Sequence, residues 1–388
     1  MKPRVALCVN LIAPYRIPVY RRLAESFHLR VLISGKEDNR PEWNGLQEEV
    51  GREADFEIRR VWGVSVKRRV RDKEEGAFDF QYTHVNPGYL PALLRFRPSL
   101  IISLELGIRT ILSLIAGKLL RVPVWVWWGG TPHTERNRGR LRRALRTLLR
   151  SHVDRWITYG HAATEYLEGI GVSRSEVLQI QNSVDETVFA AARENASPDS
   201  ALSGLPRPRL LVVGQLIRRK GIVPLLEAIE ALQKEDGLEF STVFVGRGPE
   251  RDWIERRVQS ASLWHVELVG SRTPKEMPGV YAGADWLVFP TLEDVWGLVV
   301  NEALWAGLPV VASSRAGCAR ELLPSRCIFD PADPESLRSV LRSALRGELE
   351  PPSEDRLLPS RTVGDRIVRA IWNTFASEQE AKREEVEA

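Results

Sequence analysis

Two carboxylates eight residues apart, Asp294 and Glu302, lie in the run PTLEDVWGLVVNEALWAGLPVVAS from Pro290 to Ser313. Trp296, Val299, Val300 and Ala303 recur at helical spacing around Gly297, which predicts a helix starting there. Eight residues of helix rise ~12 Å, so one acid stands at the helix mouth and the other about two turns deeper. The amides of Gly297, Leu298 and Val299 would lack intrahelical acceptors and form a ready anion site. Hydroxyl-reading carboxylates on either side of phosphate-reading amides describe a pocket for a sugar nucleotide. A cationic element, GQLIRRKG from Gly214 to Gly221, follows the strand-like LLVV and opens another helix. Basic side chains at a helix start suit a phosphate; a solvated basic loop is the alternative reading. A Gly-x-Gly-Pro turn, Gly246 to Pro249, reads by itself as architecture.

The acidic segment resembles the Glu-x7-Glu segment of the retaining, GT-B-fold glycosyltransferases of family 4, which use nucleotide sugars. Asp294 stands at the first glutamate and Glu302 at the second. The resemblance implies that Asp294 holds hydroxyls of the transferred sugar, that Gly297, Leu298 and Val299 offer amides to the diphosphate, and that Glu302 binds the ribose. Aspartate is one methylene shorter than glutamate, and the neighbouring Glu293 is an alternative for that role. In Gly214–Gly221 the family carries an Arg after the first glycine and a Lys before the last, both on the diphosphate. Lys220 keeps the lysine. Gln215 replaces the arginine and removes a full charge, which Arg218 or Arg219 could supply. The loop Gly270, Ser271 and Arg272 is implied to lie against the base and to read it through backbone groups.

The resemblance extends into the first half. Tyr15, Arg16 and Pro18 are similar to a Pro-Tyr-Arg-x-Pro opening of some members, implying that Tyr15 and Arg16 face the acceptor; the alternative is that the prolines only set the start of a helix. Many members carry a histidine directly after the strand WVWW. Here Trp128, Gly129 and Gly130 fill that place and His133 follows, an active-site candidate or an ordinary loop histidine. QNSVDETVF, Gln181 to Phe189, matches an element that closes the family's first domain.

These groups need elements to position them. Strand-like runs alternate with helical ones, the signature of βαβ units and parallel sheets. The first half reads as strands Arg4–Val9, Leu29–Ile33, Leu100–Ser103, Val122–Trp127 and Trp156–Tyr159. The second reads as Leu210–Val213, Ser241–Val245, Val266–Leu268, Trp286–Phe289 and Val310–Ala312. Helices include Arg16–Glu25 and Arg109–Leu120, and Lys36–His84 is ambiguous. Ala192 to Arg209, rich in Pro, Ser, Asn and Gly, reads as a linker. The expected fold is α/β, two Rossmann-like doubly wound domains facing across a cleft. Expected domains are 1–190 for the acceptor, 191–360 for the donor, and 361–388 as a helix that packs back on the first domain.

Composition bounds the rest. The 388 residues suit two domains, with 43% hydrophobic and 27% charged residues. The best apolar run, Thr110 to Trp128, is broken by Lys118, Arg121 and Pro123, so no spanning helix is expected. MKPRVALCVNLIAPY shows no cleavage-site pattern, and a cytoplasmic location is the expectation. Cys8, Cys318 and Cys327 are scattered without CxxC spacing; inert thiols are expected, and neither a metal nor a cofactor beyond the nucleotide-sugar substrate. Residues 1–190 carry 30 Lys and Arg against 21 Asp and Glu, a net +9, and the remainder 25 against 30, a net −5. A phosphate-bearing or lipid-linked acceptor, or an anionic membrane surface, is a better partner for that basic half than nucleic acid. Arg136 to Arg150 holds seven Arg and no acid, and Leu141, Leu145, Leu148 and Leu149 form a stripe expected to pack on the sheet with the arginines outward.

The leading expectation is therefore transfer of a sugar from a UDP- or GDP-sugar with retention of configuration. A sugar-nucleotide epimerase of the same architecture is one rival, and a non-catalytic sugar-nucleotide-binding protein, motivated by Gln215 and Asp294, is another.

Overall fold

The structure is a computed structural model that describes residues 2–34, 55–69, 80–136, 139–195 and 197–387. Its strands are β1 (Arg4–Val9), β2 (His28–Ile33), β3 (Glu57–Arg60), β4 (Val64–Arg69), β5 (Phe80–Val85), β6 (Leu100–Leu104), β7 (Val124–Trp128), β8 (Arg155–Tyr159), β9 (Val177–Ile180), β10 (Arg209–Val213), β11 (Ser241–Val245), β12 (Val266–Gly270), β13 (Trp286–Phe289), β14 (Val310–Ser313) and β15 (Ile328–Phe329). Seven form one parallel sheet in the order β3-β2-β1-β6-β7-β8-β9, and six form a second, β12-β11-β10-β13-β14-β15. Central strands such as β7 and β13 are buried along their whole length, as apolar runs covered by helices on both faces must be. Strand order reverses between β1 and β6 in the first sheet and between β10 and β13 in the second. Ligands of open α/β sheets bind outside the carboxyl ends of the strands at such points, and the candidate residues cluster at both.

The expected strands form, with corrections. The strand expected over Val122–Trp127 begins at Val124, because Val122 N–H closes the preceding helix on Gly117 O and Pro123 cannot donate to a ladder. Within the ambiguous 36–84 region, β3 extends the first sheet, and β4 and β5 pair as an antiparallel hairpin; residues 36–54 and 70–79 lie outside the described residues. The compositional linker is partly built. The helix Glu186–Asn195 runs into it, Asp199 caps the short helix Ser200–Ser203, and Arg209 starts β10 with its guanidinium on the carbonyls of Ser203, Leu205 and Gly283.

The leucine stripe is the clearest reversal. In the helix Arg140–Arg150, Leu145 and Leu148 are exposed (40% and 63%) and Leu149 is half-buried, whereas Arg146 is buried; the Leu141 side chain lies outside the described ones. Arg146 ion-pairs with Glu135, hydrogen-bonds the Tyr166 hydroxyl and stacks 4.7 Å from the Trp128 ring. A guanidinium with a carboxylate and an aromatic face to meet outcompetes the apolar residues for the interior side. The last helix, Ser360–Glu387, crosses back onto the first sheet's helix Ile17–Ser26. Gly364 lets it approach Arg22, which bonds Asp365 at 2.5 Å, and Trp372 lies against Phe27.

Candidate active site

At the carboxyl end of β10 the chain passes through Gly214 and Gln215 into a 3-10 turn, Arg218–Lys220, and then Gly221. Gly221 has φ 73°, and a Cβ there would stand 1.9 Å from the carbonyl oxygen of Pro290, the first residue beyond β13. No other side chain fits this contact, which brings the basic loop against the acidic turn. Leu292 N–H reaches Arg219 O at 2.9 Å, and the Arg219 guanidinium donates to Glu293 O at 3.1 Å. Lys220 Nζ then lies 2.5 Å from Asp294 Oδ2 and 5.3 Å from the centre of the Phe289 ring. Gly246 and Gly248 of the Gly-x-Gly-Pro turn back this loop, since a Cβ on either would strike the carbonyl of Gly214 or Leu216.

The acidic segment forms a turn and a helix, but Asp294 lies in the turn, bridged to Ala316 four residues before the helix begins, so Glu302 stands about one turn deep rather than two. The helix Leu298–Trp305 begins after Gly297, which has φ 101° and packs on the Phe289 ring, and no side chain caps it. Asp294 Oδ1 accepts from Trp296 N at 3.1 Å, and Trp296 Nε1 donates to Asn301. Asn301 in turn donates to Asn182 O, tying this helix to the element that closes the first sheet. Burial opposes ionisation of Asp294, but Lys220, the Trp296 amide and Arg219 together hold its pKa below the usual carboxylate value. Glu302 is different. It accepts a 2.6 Å hydrogen bond from the Tyr281 hydroxyl, and burial pushes its pKa up to about 7, with Tyr281 only partly offsetting the rise.

The remaining donor-side residues diverge. Gly270 has φ 76° and its carbonyl accepts from Gly246 N–H, and Ser271 is exposed. The Arg272 side chain is held by Asp199 (2.7 Å) and Val269 O, so only the backbone of this loop is left for reading a base. Arg218 points to the buried Glu250 rather than toward Lys220's partner. Asp285 accepts from Arg209 N, a turn role.

Across the cleft, the carboxyl ends of β1 and β6 open into a cavity of about 630 Å³, with Val295 of the acidic turn in its opposite wall. Tyr15 and Arg16 line it, and the Arg16 guanidinium bonds the Tyr159 hydroxyl and lies 5.4 Å from the Trp127 ring. His133 is exposed on the short helix Pro132–Glu135. Its pKa is lowered by burial and then by the nearby cations Arg315 and Arg136, so the second sheet's Arg315 faces it. Arg109, Glu105, Trp127 and Tyr159 line the same cavity and were not singled out from sequence. The signal for them is topological, because each sits at or just beyond the carboxyl end of a strand. Tyr281, which orients Glu302, carries no sequence signal at all.

Residues 207–346 match the family model described as Glycosyl transferases group 1. Glycogen synthase of Mycobacterium tuberculosis is 28% identical over 218 residues, 55% of this chain and 49% of that protein. O-antigen chain mannosyltransferase B of Escherichia coli is 26% identical over 191 residues, 45% and 50% of the two chains. The chain thus spans about half the length of the curated relatives it matches. In three dimensions it resembles Anabaena Alr3699/HepE, solved in complex with UDP, with a TM-score of 0.65 over 98% of this chain and 100% of that one at 14% identity. That likeness is one of fold, two parallel sheets with interleaved helices as in the GT-B glycosyltransferases.

Proposed function

We propose, for a chain whose residues 207–346 match the family model of the glycosyl transferases group 1, that it transfers a sugar from a UDP- or GDP-sugar to a glycan or lipid-linked acceptor with retention of configuration. The observation that carries this reading is the contact of the basic loop with the acidic turn, which sets Lys220 2.5 Å from Asp294 at the mouth of an uncapped helix. An ammonium has three donors. One serves Asp294, and two remain for diphosphate oxygens, beside the amides of Leu298 and Val299. As the nucleotide diphosphate leaves, negative charge grows on it, and fixed positive potential in a water-poor cleft stabilises that growth. Asp294 holds sugar hydroxyls, Glu302 the ribose, Gln215 and Arg219 flank the phosphates, and the backbone of Gly270 to Arg272 faces the base. His133 contacts the transferred sugar, and Tyr15 and Arg16 the acceptor. These groups supply the cationic field without a bound metal, and the acceptor hydroxyl attacks the anomeric carbon on the face the diphosphate leaves, its proton passing to an oxygen of the departing diphosphate as the anomeric C–O bond breaks.

Fold alone does not separate this from epimerisation or plain binding. Incubation with UDP-glucose, other UDP-hexoses and GDP-mannose, with release of UDP or GDP measured, separates them. Nucleotide release that accelerates with acceptor supports transfer; altered sugar without acceptor indicates an epimerase, and saturable binding without turnover a binding protein.

The exposed leucine face adds a location. No helix among the described residues is long and apolar enough to cross a membrane. Leu145 and Leu148 are instead exposed on a helix that also carries Arg143 and Arg150, and Ile115 and Leu119 of the helix Ile108–Leu120 are exposed too (43% and 64%). Apolar residues rimmed by arginines suit the interface of an anionic bilayer, and we propose peripheral binding there. Co-sedimentation with phosphatidylglycerol vesicles, but not phosphatidylcholine vesicles, is the expected result, reduced at least tenfold by the double change Leu145→Glu, Leu148→Glu. Equal partition to both lipids, or none to either, removes the proposal.

A further inference from the structure

The cavity at the β1/β6 switch point holds more positive charge than its own walls neutralise. Arg16 and Arg109 both line it, and both are half-buried. The hydrogen bonds of Arg16 go to the Tyr159 hydroxyl, and those of Arg109 to Asn10 Oδ1 and Leu104 O, all neutral acceptors. Among the described residues no carboxylate lies within ion-pair distance, 4.0 Å, of either guanidinium. The Nε of each is buried without a hydrogen-bond partner, as is Trp127 Nε1 beside them. Arg146 shows the contrast. It lines the same cavity but is answered within the wall by Glu135.

Enclosing two guanidinium groups against neutral partners is costly, because each loses hydration that a dipole replaces only in part. Three aromatic rings, Tyr15, Trp127 and Tyr159, lie within 5.7 Å of the Arg16 guanidinium carbon and steady it without quenching its charge. Glu105 lines the cavity too, at φ 62°, yet it stays exposed and makes no ion pair with either arginine. A bound anion would meet both cations at once, and the bidentate geometry of guanidinium suits phosphate and carboxylate alike. The opposite wall carries Val295, the residue after Asp294, so a molecule seated here lies next to the sugar-holding acid.

We propose that this cavity selects an anionic saccharide as acceptor, with a phosphate or carboxylate held between Arg16 and Arg109 while a hydroxyl of the same molecule points at the donor sugar. The inference rests on the sugar-transfer reading above and names its substrate class. Trp127 and Trp128 line the cavity, so quenching of tryptophan fluorescence reports its occupancy. The probes are glucuronic acid and glucose 6-phosphate, with glucose and inorganic phosphate as controls at constant ionic strength. At least tenfold tighter binding of one or both anionic sugars than of either control is expected, and the stronger of the two identifies the anion. Arg109→Gln should bring that affinity down to the level of glucose, Arg109→Lys should keep part of it, and neither should change the affinity for UDP-glucose. Glucose binding as well as the anionic sugars overturns the proposal, as does phosphate alone matching glucose 6-phosphate. So does a parallel loss of UDP-glucose affinity in Arg109→Gln with an unchanged melting temperature, which would give the arginines to the donor. Absence of binding of UDP-glucose, the other UDP-hexoses and GDP-mannose alike by the unaltered protein counts against the sugar-nucleotide reading instead, whatever the anionic sugars do.

Discussion

Replacing Lys220 with Met should lower kcat for sugar transfer by about 10²-fold or more, the loss expected when one fixed donor to a charge-accumulating leaving group is removed. KM for the donor should change far less, because the charge that Lys220 meets is larger in the transition state than in the bound substrate. The same change strands Asp294, whose low pKa depends on Lys220 and which is only 15% exposed at its side chain. A stability loss on the order of 1–3 kcal/mol should accompany it. The two effects separate in the double variant Lys220→Met, Asp294→Asn, which removes both charges. It should recover the melting temperature and leave transfer slow. Lys220→Met that turns over at the unaltered rate would show that the diphosphate is held elsewhere.

Donor affinity should rise with pH through about 7 and level off above it, because Glu302 must be ionised to accept two ribose hydroxyl protons and its pKa lies at about 7. Between pH 8 and pH 6 the affinity for UDP-glucose should fall about tenfold, the proton competing with the ribose for the same oxygens. UDP-glucose suits this measurement because its diphosphate, esterified at both ends, does not titrate near neutrality. His133, whose pKa is lowered from the usual histidine value, lies on the acid side of the Glu302 midpoint. Glu302→Gln should bind weakly with a flat profile. Tyr281→Phe should move the midpoint upward, since the Tyr281 hydroxyl is the group that favours the ionised carboxylate. The sign for stability is opposite. Folded Glu302 keeps its proton to higher pH than the unfolded chain does, so it favours the fold at low pH, and that contribution is lost as pH rises from about 4.5 through 7. Thermal stabilisation by UDP-glucose should therefore be larger at pH 8 than at pH 6. A flat profile for the unaltered protein would remove Glu302 from the ribose site.

Much of this site was legible because its parts are local. Asp294, Gly297 and Glu302 belong to one turn and the helix that follows it, although the left-handed Gly297 and the bridge from Asp294 to Ala316, not helical spacing alone, set how far apart the acids lie. The glycines were legible as types but not as reasons: Gly221 is required by Pro290 O, a partner 69 residues away in sequence. The Arg140–Arg150 helix misled for the complementary reason. Periodicity shows that leucines share a face, yet Glu135, Trp128 and Tyr166 on other elements turn the Arg146 side inward. For Arg272 only the backbone was expected to meet a base, and the structure adds what sequence did not show, that Asp199 holds its side chain.

Alternating apolar runs and turn residues were sufficient for two parallel sheets, because burial on both faces leaves few other places for such strands. What they could not convey was which half-charges meet. Lys220 with Asp294, Tyr281 with Glu302, and Arg16 with Arg109 around one cavity are each brought together by strand order. A chain's local pattern decides how each segment folds and which face it buries. Only the order in which strands line up decides which loops share an end of the sheet, and therefore whose electric field each carboxylate and guanidinium feels.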